Sequence, residues 1–322
     1  MNNHKKILIS LLAVLMLGIG IPSVMAQSNS LQYSHSNGIV TLSTDTLEVR
    51  VSGINQVPHF HWWSPINESV DYHMYFLGLF EANDTNTDGT FTRGTDTLVG
   101  PRFMLPVIGW EFSGFLNETE GEEVTAVHFN FTTTSEFDPR PGGFMGDFGM
   151  FPDLSEFDVT IQIRVHIDMA NPSEIKFDVV IEGWNWTYED SILVMQFTVV
   201  ESNHGLGLAE RNPSGFQRTG TKFNFANGFM QYNETALAAQ NSLEVKASYG
   251  EGVGLEAGQS VYLAFEYFGN ETLVYDPILG VDSDDPGVGS DLVAVLSSPT
   301  SLLLIGGILI VVLVAVIIKL KK

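Results

Sequence analysis

The chain has 322 residues, 44% of them hydrophobic, with 38 Asp and Glu against 15 Lys and Arg and no cysteine. That is enough apolar material for a large core, which excludes a disordered or fibrous chain. It also excludes disulfide frameworks, thiol redox chemistry and cysteine-ligated zinc or iron–sulfur sites. A formal charge of -23 repels phosphates and excludes nucleic acid as a partner.

Residues 1–26 read as a secretory leader. Lys5 and Lys6 make the positive start, and the apolar stretch at 7–21 is shorter than the ~18 residues of a comfortable span. Pro22 breaks it, and Val24-Met25-Ala26 is a small-x-small cleavage site, so the mature chain is expected to begin at Gln27.

From there to residue 279 the dominant signal is alternation of apolar and polar residues. Phe157, Val159, Ile161, Ile163, Val165, Ile167 and Met169 point one way, with Asp158, Thr160, Gln162, Arg164, His166 and Asp168 opposite. Helical spacing cannot generate that period of two. Asn171-Pro172 turns the chain, and Ile175, Phe177, Val179 and Ile181 resume the alternation, which predicts a hairpin. Shorter examples are Leu47, Val49, Val51; Val127, Phe129, Phe131; Trp184, Trp186, Tyr188; Leu243, Val245, Ala247; and Val261, Leu263, Phe265, Tyr267. Met74 to Glu81 also reads as a strand. Only Asn233 to Asn241 suggests a helix, two turns capped at Asn233. Many strands without crossover helices predict an all-β fold: a large antiparallel β-sandwich, with two abutting sandwiches as the alternative.

Residues 280–300 turn acidic and small, and read as a short stalk. Residues 301–318 are an uninterrupted apolar run, about 27 Å of helix, followed by Lys319, Lys321 and Lys322. This predicts one transmembrane helix with a basic cytoplasmic tail at 319–322. The body is then outside the cell, with the lipid bilayer as one partner. Five of the 15 basic residues lie in the two terminal segments, so ten face 38 acidic ones and the outer part carries -28. Such a surface attracts cations and suits high salt equally well. Seven Asn-x-Ser/Thr sequons, at Asn67, Asn83, Asn117, Asn130, Asn185, Asn233 and Asn270, all fall in this outer part and predict glycosylation.

Three constellations could carry chemistry. Asp84, Asn86, Asp88, Gly89, Thr90 and Phe91 place oxygen side chains at positions 1, 3 and 5, glycine at 6 and an apolar anchor at 8 of a cation-wrapping loop. The stretch resembles the calcium loop of EF-hand and dockerin-type modules. It departs from them at position 12, where Thr95 stands and Asp96 comes one place late. The resemblance implies calcium held by Asp84, Asn86, Asp88, Thr90 and Asp96, in a structural role; the alternative is a polar turn. Second, His59 and His61 share a strand face and, with His73 a strand away, could chelate copper or zinc. Third, Trp62, Trp184 and Trp186 could stack on sugar rings, although alternating aromatics are more often core. The Gly/Phe/Met-rich stretch at 141–151 reads as either a packed lid or an apolar contact surface.

No nucleophile elbow, H-E-x-x-H pair or phosphate loop occurs. Cysteine-free, sequon-rich and ending in an anchor, the chain resembles in organisation the single-pass surface proteins of archaea. The expected function is binding or adhesion at the envelope, or an envelope structural role, toward an extracellular ligand or envelope protein, with calcium rigidifying one loop. The alternatives are a carbohydrate-active hydrolase or sugar-binding module, and metal capture through the histidines.

Overall fold

A computed structural model of the chain describes residues 31–52, 57–137, 158–203, 212–251 and 258–282. The expected leader, the stretch at 141–151, residues 283–300 of the expected stalk and the apolar run at 301–318 lie outside the described residues. Among the described residues no helix is long and apolar enough to cross a membrane. They form an all-β fold whose only helical piece is a 3-10 turn at Leu105–Val107. The named strands pair antiparallel throughout.

The described chain opens with β1 (Gln32–Ser36), β2 (Ile39–Ser43), β3 (Glu48–Ser52), β4 (His59–Ser64) and the 17-residue β5 (Asn67–Asn83), each pairing with the next. β6 (Thr97–Met104) returns along the far half of β5. The 3-10 turn then leads into β7 (Ile108–Phe112), β8 (Leu116–Glu120), β9 (Glu123–Phe137), β10 (Thr160–Asp168) and β11 (Glu174–Glu182). β12 (Ile192–Asn203) goes back to pair with β5 over twelve residues. Short strands follow: β13 (Gln217–Thr219), β14 (Lys222–Phe225), β15 (Gly228–Gln231) and β16 (Thr235–Ala238). β17 (Asn241–Glu251), β18 (Gln259–Phe265), β19 (Leu273–Tyr275) and β20 (Ile278–Val281) complete the set.

The network divides into two sheets. The first runs β1-β2-β3-β4-β5-β12-β18-β17. The second is built on β9-β10-β11, flanked by β7 and β8 on one edge and by β19 and β20 on the other. β17 joins them: Asn241 to Glu244 pair with β16 in the second sheet, and Val245 to Glu251 pair with β18 in the first. Facing side chains from both sheets belong to one hydrophobic cluster. Phe177 of β11 lies 5.7 Å from Phe60 and 5.9 Å from Phe76, ring to ring. The buried Trp62 donates its indole N–H to the Gly280 carbonyl at 3.1 Å, tying β4 to β20. Gly280 has to be glycine, because a Cβ there would stand 2.6 Å from the Phe229 ring and 2.7 Å from the Ser173 carbonyl.

The alternation read from sequence holds in β10 and β11, where Ile161, Ile163, Val165, Ile167, Ile175, Phe177, Val179 and Ile181 are buried. It fails in informative places. Residues 233–241 are not helical: β16 and the turn into β17 occupy them, because β16 finds backbone partners in β17 on one side and β19 on the other. Trp184, Trp186 and Tyr188 do not form a strand but a loop. Buried Glu81 holds it, accepting the amides of Thr187 at 2.8 Å and Tyr188 at 2.9 Å and the Ser191 hydroxyl. Tyr267 lies beyond β18, and β18 is buried on both faces. The body also takes in the first three residues of the expected stalk, ending at Asp282, where Lys222 pairs with it at 2.7 Å.

Candidate metal centre

β4 turns Phe60 and Trp62 to the core, so the strand period of two sends His59 and His61 to the outer face of the first sheet. The register β4 makes with β5 sets His61 directly opposite His73 and His59 opposite Tyr75. The three imidazoles therefore gather although fourteen residues separate His59 from His73. One ligand nitrogen from each lies within 4.8 Å of the others, and among the described residues this is the group of three or more His, Asp or Glu side chains that converges so.

A carboxylate sits behind the cluster. Asp71 Oδ2 is 3.1 Å from His61 Nδ1 and 3.2 Å from His73 Nε2, and Ser202 Oγ of β12 is 2.7 Å from the same His73 nitrogen. An ionised carboxylate only accepts, so the protons are assigned to His61 Nδ1 and His73 Nε2. The remaining nitrogens, His61 Nε2 and His73 Nδ1, then carry lone pairs. His73 Nδ1 stands 3.3 Å from His59 Nε2. Two nitrogens bound at about 2.05 Å to one tetrahedral ion would be about 3.3 Å apart, so this pair is already at the spacing zinc needs. The carboxylate–imidazole pairing is also what orients metal-bound histidines.

The electrostatics agree with that assignment. Burial, followed by the neighbouring His61 and His73, drives His59 from the ordinary imidazole value of 6.5 down to about 2, against a weaker opposing pull from Asp71. His59 is thus a neutral ligand across the physiological range. Burial pushes the Asp71 carboxyl up, but hydrogen bonds from His61 and His73 outweigh it and hold the group well below the usual carboxylate range. His59 is further fixed by stacking on Tyr75, ring centroids 3.7 Å apart. His73 is buried while His59 and His61 remain partly open, which leaves an approach from solvent.

The loop at residues 84–96 is organised differently. Asp84 accepts the amides of Gly89 at 2.7 Å and Asp88 at 3.2 Å, and Asp96 accepts those of Thr92 at 2.6 Å and Thr85 at 3.0 Å. Asp88 accepts the Thr90 hydroxyl and amide, both at 2.7 Å, which hold its carboxyl below the usual range. Asn86 turns its amide N–H₂ to Asp88 at 2.7 Å, and the Lys246 ammonium reaches the Asp88 carbonyl at 2.9 Å. Asp84, Asp88 and Asp96 do not converge as the imidazoles do. Two expectations for this loop do hold. Gly89 takes the left-handed φ of 76°, and Phe91 anchors the loop on Phe80 and Tyr262 at 5.1 and 5.0 Å. Together with Ala82, Ile192, Val194 and Ala264 they make a second small core on the outer face of the first sheet.

Trp62 and Trp184 cannot stack on a ligand, since they are 0% and 2% exposed and their faces are taken up by core packing. Trp186 is packed against Tyr267 and Phe268 and donates to the Gly269 carbonyl. A pocket of about 260 Å³ lies between Phe80, Phe91, Tyr262, Arg93 and Arg102. It offers one carboxylate, Asp96, already committed to two backbone amides. Of the sequon asparagines, Asn83, Asn117, Asn185, Asn233 and Asn270 are exposed and Asn67 and Asn130 half-buried. No family model matches the chain, and no curated protein matches it either.

Proposed function

We propose that this chain is a membrane-anchored protein of the cell exterior whose β-sandwich body captures a tetrahedral transition-metal ion, of which zinc is the best fit, through His59 Nε2, His61 Nε2 and His73 Nδ1. The single observation that carries the reading is the convergence of three imidazole nitrogens backed by Asp71. Three neutral nitrogen ligands with solvent access leave a fourth position for water or a ligand from another molecule. The leader, the anchor and the sequons are the sequence features that support display outside the cell, and an outer body carrying -28 would concentrate cations around it. Binding at the envelope, the broader expectation, thereby gains a specific ligand class.

The test is titration of the full chain in detergent with Zn(II), followed by calorimetry, and with Co(II), followed by visible absorption. One equivalent should bind, with the intense d–d bands of a four-coordinate site. His61→Ala and His73→Ala should each remove it. Unchanged binding in both variants would end the proposal.

A further inference from the structure

The second sheet carries another imidazole group, distant in sequence from the first. β9 and β10 place His128 and His166 directly opposite each other on the outward side, away from the core-facing Val127, Phe129, Val165 and Ile167. Their Nδ1 atoms are 2.8 Å apart. Each ring's other nitrogen faces a carboxylate: His128 Nε2 is 3.2 Å from Glu118 Oε1 of β8, and His166 Nε2 is 3.0 Å from Asp178 Oδ2 of β11. The four side chains thus form a line across four adjacent strands.

The hydrogen-bonding arithmetic of that line is what points to a ligand. Ionised carboxylates only accept, so each Nε2 must carry its ring's proton to make its bond. Were both rings to carry that one proton alone, the contact between the Nδ1 atoms would be one proton short of a hydrogen bond. A cation supplies what is missing: a proton, which makes the pair a hydrogen-bonded imidazolium–imidazole, or a metal ion bound between or beside the rings. We propose that His128 Nδ1 and His166 Nδ1 form a second metal site, selective for a tetragonal ion such as Cu(II).

The spacing distinguishes this site from the first. With metal–nitrogen bonds of about 2.0 Å, two cis ligands of a square-planar ion lie about 2.8 Å apart, whereas a tetrahedral ion sets them about 3.3 Å apart. The rings need only turn their lone pairs to one side to share such an ion, and at 24% and 30% side-chain exposure they have room to do so. Two open positions remain for water. Asp178, only 18% exposed, is the firmer of the two supporting carboxylates; Glu118 is 67% exposed. The nearby cations are engaged elsewhere: Lys176, opposite His166, reaches Asp276 at 3.2 Å, and the Arg164 guanidinium bonds the Gln162 side chain at 3.0 and 3.1 Å. Five of the chain's eight histidines are accounted for by these two outward clusters, one on each sheet.

Electron paramagnetic resonance of the full chain titrated with Cu(II), with one equivalent of Zn(II) already present, tests the site. The expected result is one equivalent of Cu(II) with a tetragonal spectrum and coupling to two nitrogens. That signal should vanish in His128→Gln and in His166→Gln, and persist in His73→Ala, which removes the first site alone. Asp178→Asn should weaken Cu(II) affinity about 10- to 100-fold. His128→Gln, His166→Gln and Asp178→Asn replace partly exposed outer-face side chains, and unchanged circular dichroism confirms folding. A copper signal that neither histidine substitution alters, or no copper signal at all, overturns the proposal and leaves a hydrogen-bonded imidazole pair. Because the His73→Ala arm is separate, failure here and failure of the zinc site are told apart.

Discussion

The acidic loop at 84–96 and the imidazole cluster of β4 and β5 sit on the same sheet and both gather ligand-bearing side chains, yet they spend their lone pairs in opposite ways. In the loop, the carboxylates of Asp84, Asp88 and Asp96 accept amide protons from Thr85, Asp88, Gly89, Thr90 and Thr92, so the side chains hold the turn itself. In the cluster, one carboxylate, Asp71, lies within hydrogen-bond reach of two rings, and His59, His61 and His73 each bring a nitrogen within 4.8 Å of the others. Oxygen-rich loops satisfy themselves locally at little cost. Rigid strands cannot, because a side chain on a strand meets only what the register places opposite it. The sheet therefore gathers three ligand nitrogens, whereas the loop's carboxylates are engaged by its own amides.

The largest expected effect tests the loop's structural role. Phe91→Ala should cost about 3–5 kcal/mol in urea unfolding, as it empties the small core on Phe80 and Tyr262. A cost below about 1 kcal/mol would mean the loop is not held by its anchor. Next, His73→Ala should lower Zn(II) affinity at least about 100-fold, while Asp84→Ala and Asp88→Ala leave it unchanged; calorimetry separates the two regions directly. Asp71→Asn should weaken Zn(II) about 10- to 100-fold with the fold intact, through loss of ring orientation.

Protonation gives a smaller and graded contrast. His59 titrates near 6.5 when unfolded and near 2 when folded, so between those values the unfolded state binds more protons. This contribution to metal-free stability is complete above about pH 6.5 and declines as the pH falls toward 2. The urea midpoint should drop accordingly, and His59→Gln should flatten that slope between pH 6.5 and 4.5. Calcium is the smallest effect. With the loop carboxylates engaged by amides, a chelator should move the melting midpoint by less than about 2 °C. A larger shift that Asp84→Ala abolishes would restore the ion to the loop.

Local pattern carried much of this fold into view. The hairpin of β10 and β11 follows from their strict period of two, and Gly89 and Phe91 do in the loop what their positions imply. Elsewhere local pattern misled. Trp184-Asn185-Trp186 alternates as a strand would, but Glu81, more than a hundred residues away, captures the following amides and holds a loop instead. Asn233 to Asn241 has helical composition, yet edge partners on both sides recruit it as β16. His128 and His166 gave no signal at all, being single histidines in separate strands, each with the ordinary look of an outward polar residue.

What the amino-acid order determined by itself was what rests on neighbours along the chain: the strand character and inward-facing residues of β10 and β11, the turn at Gly89, and the charge. What the tertiary structure alone decided was which outward residues meet. Backbone periodicity fixes the side of the sheet a histidine takes, but only strand register sets His61 against His73 and His128 against His166. Register is settled by burial of the opposite, apolar face and by the turns that join the strands, so the polar sites follow from the packing of a core they do not touch.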